Sequence, residues 1–226
     1  LGFGEFLVLP DTGVITWVNH YSVLKCIEAK IPLEEFDFVG IDGFFLRFIH
    51  GAGISHSSAD YSFPVWLKGK TLSVGLIGGS EISALAHIVS FTNEFPNASV
   101  AWSLAGDENW LENTEAELSD VKRLPDLILV GMGAPLQDSA ALRIFERVSG
   151  IHPDKKILVA TCGGWLDQIG IKNYYPKWST PLKLNWLVRL VREPGRLWKR
   201  YFLDSFVALG KFYSIRRYLH SVRNFL

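Results

Sequence analysis

The chain has 226 residues, of which 48% are hydrophobic and 13% aromatic, enough for a sizeable core in one domain with or without an appendage and too apolar for a disordered chain. Its 23 basic and 23 acidic side chains cancel in number but not in place: residues 1–171 hold 11 basic and 21 acidic, residues 172–226 hold 12 and 2. No apolar run is both long enough and free enough of charge to span a bilayer, and two cysteines exclude a disulfide framework.

Glu5 and Asp11 interrupt the opening segment, so no secretory leader is expected there, although Leu1 is not an initiator methionine and the sequence can be a fragment. Phe6–Leu9 reads as a short strand. Val14–Asn19 reads as another, followed by a helix over His20–Ala29, and Phe36–Ile41 as a strand ending at Asp42-Gly43. Thr71–Ile77 is a continuous apolar run, the pattern of a buried parallel strand. Gly78-Gly79-Ser80 turns it into a helix over Glu81–Phe95. Ala98–Trp102 is a strand, Leu111–Leu124 a helix, Leu127–Val130 a strand, Gln137–Ser149 a helix and Ile157–Thr161 the last core strand. This alternation predicts an α/β fold, a parallel sheet flanked by helices. Ligands of such sheets sit beyond the carboxyl ends of the strands. Asp42, Gly78-Gly79, Gly131–Gln137 and Gly163–Asp167 are all expected at that edge.

Residues 1–181 form the expected α/β domain and 182–226 a basic helical appendage. Leu182, Trp186, Leu187 and Leu190 give an apolar helical stripe. Arg189, Glu193, Arg196 and Arg200 fall on one helical face, with a break or kink expected at Pro194-Gly195. The segment from Tyr201 mixes aromatics with Arg216, Arg217 and Arg223, the composition of a helix that lies on a membrane surface or packs on its own domain or a second copy. The basic tail lacks any nucleic-acid recognition motif. No Cys/His spacing suits zinc, and Cys26 and Cys162 fit a reducing cytoplasm.

Three motifs stand out. Pro125-Asp126 leads into Val130-Gly131-Met132-Gly133-Ala134-Pro135-Leu136-Gln137-Asp138. Gly163-Gly164-Trp165-Leu166-Asp167 follows the last strand. Asn185-Trp186-Leu187 leads into Arg189-Leu190, Glu193-Pro194 and Arg196. In these residues the chain resembles the WecG/TagA/CpsF glycosyltransferase family over roughly residues 14 to 204. Asp138 stands where the family has Glu, Leu166 where it has Phe, and Asn185 where it has Glu.

The resemblance implies a Rossmann-like fold and transfer of a sugar from a UDP-sugar to a polyprenyl-diphosphate-linked acceptor in envelope or exopolysaccharide assembly. It implies an inverting, metal-independent reaction without a cofactor, at the inner face of the cell membrane. Asp107 with Glu108 is not the Asp-x-Asp motif of metal-dependent transferases. Asp42 becomes the catalytic base. Asn19, Gly79, Gly133, Gln137 and Asp167 become substrate-binding, and Arg189, Arg196, Lys199 and Arg200 a diphosphate clamp. Residue by residue, Asn19 and Asp167 suit hydroxyl or phosphate contacts, Gln137 and Asp167 also suit helix caps, and the glycines also suit plain turns.

The chain departs from the family in places. Trp17 replaces a threonine. Phe44-Phe45-Leu46-Arg47 replaces small residues. Ser55–Asp60 lacks the family's arginine, leaving Arg47 or His56 as substitutes. Tyr174-Tyr175-Pro176 replaces Arg-Ala-Pro. A catalytically weak or inactive membrane-surface module of the same fold is the alternative, and a nicotinamide-dependent oxidoreductase is disfavoured because no Gly-x-Gly-x-x-Gly follows an early strand. The sequence leaves homo-oligomerisation open.

Overall fold

The computed structural model describes residues 9–50, 57–169, 171, 176, 185–192 and 194–226; within these ranges the side chains of residues 44, 185, 186, 196, 200 and 201 lie outside the description. In chain order the elements are β1 (Gly13–Val18), α1 (His20–Glu28), β2 (Phe38–Ile41), α2 (Phe44–His50), α3 (Ala59–Leu67), β3 (Ser73–Gly78), α4 (Glu81–Glu94), β4 (Ser99–Leu104), α5 (Trp110–Leu118), β5 (Leu127–Gly131), α6 (Leu136–Ile151), β6 (Leu158–Thr161), α7 (Asn185–Arg192), α8 (Pro194–Gly210) and α9 (Phe212–Leu219).

The strands form a six-stranded sheet in the order β2-β1-β6-β5-β3-β4, and every neighbouring pair is parallel. The expected α/β class and Rossmann-like arrangement are therefore present. Every residue of β1 is buried, because a central strand between helical layers has no wet face. Alternate residues feed two cores. Val14, Ile128 and Val159 pack with Ala140, Ile144 and Val148 of α6 and with Ile215 and Leu219 of α9. Ile15, Leu129 and Ala160 pack with Phe63 of α3, Phe91 of α4, and Trp165.

Local differences from expectation have local causes. α2 and α3 were not anticipated: Phe44–His50 carries no sequence cap signal, and Pro64 lies inside α3. The helix expected to reach Leu124 stops at Leu118. Asp120 then caps a separate 3₁₀ turn over Val121–Arg123, its carboxylate accepting from Lys122 N–H. Pro194 opens α8 at the expected break, a position where its missing N–H costs nothing. Of the strand expected at Phe6–Leu9, residues 6–8 lie outside the described residues.

The chain's last residues lie along β2. Val39 N–H donates to Asn224 O at 3.0 Å, and Leu226 N–H donates to Val39 O at 3.1 Å. Asn224 Nδ2 donates to Asp37 O at 3.0 Å. The edge of the sheet nearest Asp42 is thus covered rather than left open.

Candidate active site

A cleft of about 360 Å³ opens beyond the carboxyl ends of β1, β2, β5 and β6. β1 delivers Trp17 and Asn19. Asn19 caps α1: its side-chain oxygen accepts from the N–H groups of Tyr21 and Ser22 at 3.1 and 3.0 Å. Ser22 Oγ accepts the Asn19 N–H at 2.7 Å, which closes a capping box and fixes the Asn19 side chain at the rim.

Trp17 is buried where the family carries threonine. Its indole donates to Ser57 Oγ at 2.8 Å and meets Phe63 edge-on at 5.1 Å. Gly40 makes room for it: a Cβ there would lie 2.2 Å from the ring. Trp17 therefore floors the cleft by packing and ties down Ser57.

β2 delivers Asp42. Its N–H donates to Val18 O at 2.8 Å, so the residue is held at the end of the parallel ladder with its side chain half-buried in the cleft wall. The turn between β5 and α6 supplies Gly133 and Ala134, and the first turn of α6 supplies Gln137. Gly133 has φ 77°, where an L side chain is strained, and the space beside its Cα is open. Its N–H donates to Gln137 Oε1 at 3.1 Å, which shapes the turn around a buried glutamine.

Thr161 at the end of β6 and Cys162, Gly163 and Gly164 after it complete the floor. Burial pushes the Cys162 thiol well above its ordinary value, with Asp60 and Asp167 adding to the effect, so this cysteine is a packing residue and not a nucleophile.

Helices α7 and α8 close one side. Arg189 on α7 and Leu197, Lys199 and Asp204 on α8 line the same cleft. Arg189 Nη1 lies 3.5 Å from Asp60 Oδ2 of α3, and both side chains are about four-fifths buried. Arg196 and Arg200 fall on α8, but their side chains lie outside the described residues, as do His56 and Tyr174-Tyr175.

Among the residues expected at the site, the cleft brings together Asn19, Asp42, Gly133, Gln137, Arg189 and Lys199. Two stand apart from its lining. Gly79 carries the β3–α4 turn, where it faces Ser83 and His87. Asp167 sits in the 3₁₀ turn after β6, and its Oδ1 lies 3.0 Å from Nε2 of the buried His87. Arg47, offered as a replacement cation, is on α2 outside the lining residues. Asp60, Tyr21, Thr161 and Asp204 line the cleft without having been singled out. Asp60 was findable, since it ends the segment in which the family's arginine is missing. Tyr21 and Asp204 carry no local signal.

A single-edge cleft in a parallel sheet, with Asp42 on one wall and Arg189 and Lys199 beside Asp60 and Asp204 on another, brings a candidate base and two cations to one place, as transfer from an anionic donor requires. The family model for the glycosyl transferase WecG/TagA/CpsF family matches residues 62–221. The chain is 30% identical over 204 residues to the UDP-Gal:alpha-D-GlcNAc-diphosphoundecaprenol beta-1,4-galactosyltransferase of Shigella boydii, covering 85% of this chain and 82% of that protein. The protein belongs to the WecG/TagA/CpsF family and is a glycosyltransferase.

Proposed function

We propose that the cleft binds a UDP-sugar and transfers the sugar to a hydroxyl of a polyprenyl-diphosphate-linked acceptor, inverting the anomeric centre without a metal. The observation that supports this best is the convergence of Asp42, Arg189 and Lys199 on one cleft. Asp42 takes the proton of the acceptor hydroxyl as it attacks the anomeric carbon. The bond from that carbon to the diphosphate breaks in the same displacement. Arg189 and Lys199 hold the negative charge that collects on the departing diphosphate, joined by Arg196 and Arg200 of the same arm. Asn19, Gly133 and Gln137 hold the donor in register from the opposite rim, while Gly79 and Asp167 act from the neighbouring turns.

The Shigella relative is named for UDP-galactose and a diphosphoundecaprenol acceptor, so galactose is the first donor to try. A thermal-shift panel of UDP-sugars tests the reading, because a ligand that binds only the native state raises the midpoint. UDP-galactose or another UDP-sugar should raise it; a panel in which none does removes the proposal.

We also infer that the arm meets a membrane surface. Trp198, Phe202, Phe206, Leu209 and Tyr213 are exposed along α8 and α9, between 44% and 85% accessible, while Leu197 and Ala208 turn inward. Among the described residues no helix is long and apolar enough to cross a membrane. An apolar face flanked by Lys199, Lys211 and Arg217 instead suits a helix lying in the interface of anionic lipids. Sedimentation with phosphatidylglycerol vesicles should be strong for the wild type and weak for F202S/F206S.

A further inference from the structure

Asp138 follows Gln137 on α6, yet it takes no part in lining the cleft. It is wholly buried. Its Oδ1 accepts from Thr16 Oγ1 at 2.6 Å. Thr16 Oγ1 lies 2.9 Å from Thr161 Oγ1. Thr161 in turn accepts the Trp17 N–H at 3.3 Å and lines the cleft. A buried chain of two hydroxyls thus runs from a carboxyl to the floor of the active site, across β1 and β6. The other carboxyl oxygen, Oδ2, has no conventional hydrogen-bond partner. The Cys26 thiol of α1 lies against the carboxyl as a weak donor. The titratable groups that face Asp138 are Cys26 and, from α9, Tyr218.

Hydrogen counting gives this chain two directions. An ionised carboxylate only accepts, so Thr16 must donate to it, and Thr161 must then donate to Thr16. In that state Thr161 offers the cleft no hydrogen. A proton on Asp138 is better placed on Oδ1, where it donates to Thr16, than on Oδ2, where it would be buried without an acceptor. Thr16 then donates to Thr161, and the Thr161 hydrogen is released towards the cleft. Burial holds Asp138 at about 6, so both directions are populated near neutrality.

We propose that Thr161 is a positioning residue whose hydroxyl turns from acceptor to donor at the cleft when Asp138 takes up a proton, so that an anionic ligand and that proton bind cooperatively. The ligand identity rests on the proposed function; the chain itself does not. Because coupling is reciprocal, the ligand must raise the Asp138 midpoint as much as the proton raises ligand affinity.

The test is a carbon-detected NMR titration of the Asp138 carboxyl in the full chain, assigned with D138N, with and without UDP-galactose, whose diphosphate diester does not itself titrate in this range. The wild type should show a midpoint that moves up on saturation, and UDP-galactose should bind about five-fold more tightly at pH 5 than at pH 7.5. T16V should keep binding but lose the shift, and T16S should restore it. Binding to the wild type with no shift, or a shift that survives in T16V, overturns the proposal. Should UDP-galactose not bind, the donor assignment falls and the chain is read without ligand: T161V must move the Asp138 midpoint, and a midpoint equal to the wild type's overturns it.

Discussion

Arg189 of α7 is joined to Asp60 of α3 across the mouth of the cleft, 3.5 Å apart. The contact links α7 to α3 within the lining of the cleft. On the proposed function, Arg189 would share its guanidinium between Asp60 and the diphosphate. R189A should weaken UDP-galactose binding by at least about ten-fold, as expected for loss of a charge-assisted contact. Calorimetry on the full chain reads this directly, and unchanged affinity would remove Arg189 from the clamp.

Asp42 is held by its own backbone at the end of the β2 ladder, so its side chain can change without unseating the strand. D42N should retain UDP-galactose affinity and the wild-type thermal midpoint. Its turnover, followed as UDP release with a lipid-linked acceptor, should fall by about 10² to 10⁴, the range for a lost general base. A chelator should leave wild-type turnover unchanged if the cations of the arm carry the leaving group.

Asp138 makes stability depend on pH in an unusual sense for a carboxyl. Burial raises it from 3.8 to about 6, against the opposing hydrogen bonds from Thr16 and Cys26. Its favourable contribution is therefore complete below the ordinary value and is lost as pH rises through about 6. The loss is on the order of 3 kcal/mol. Denaturant midpoints of the wild type should fall between pH 4 and 6.5 relative to those of D138N, which cannot ionise there. Parallel curves would place the carboxyl in a wetter setting than the structure gives it.

His50 has the opposite sign. Burial, with His220 and Arg216 adding to it, holds the ring below its ordinary 6.5. Its ring meets His220 at 5.7 Å and Phe225 at 4.8 Å between centroids, where α2 packs on α9. The stability it supports is present above the ordinary value and is lost as pH falls through the depressed one. Hydrogen exchange, corrected for intrinsic rate, should show Val39 and Leu226 losing protection as pH drops below the ordinary histidine value. H50F should remove that trend.

How much of this was legible in the sequence depends on the range of the interaction. The largely apolar runs at Val14–Val18, Ser73–Ile77 and Leu127–Val130 announce buried parallel strands, because a strand covered on both faces holds few polar residues, Thr16 being one that is hydrogen-bonded. From them the cleft at the strand ends follows, and with it the placing of Asp42, Gly133 and Gln137. The Pro125-Asp126 pair that opens a motif does something else. Asp126 lies at the far end of β5, where it accepts from Ser73 N–H and Lys155 Nζ, each at 2.9 Å, and clips two strand starts together. Asp138 looked like a variant of a motif residue, and only the fold brings Thr16 and Thr161, 122 and 145 residues apart from their partners, into one chain. Asp167 was read as a ligand contact from its motif, while its partner His87 is 80 positions away and looked like one of six scattered histidines. Contacts of that separation leave no periodic trace.

Anyone wishing to dissect lipid affinity from chemistry by trimming the polypeptide will meet an obstacle at its far end. Asn224 and Leu226 act as a seventh, miniature rung against Val39, three positions before the proposed base. Cutting them away would unpair the N–H and C=O of Val39, so loss of turnover in a shortened enzyme would be no test of the proposed membrane contact.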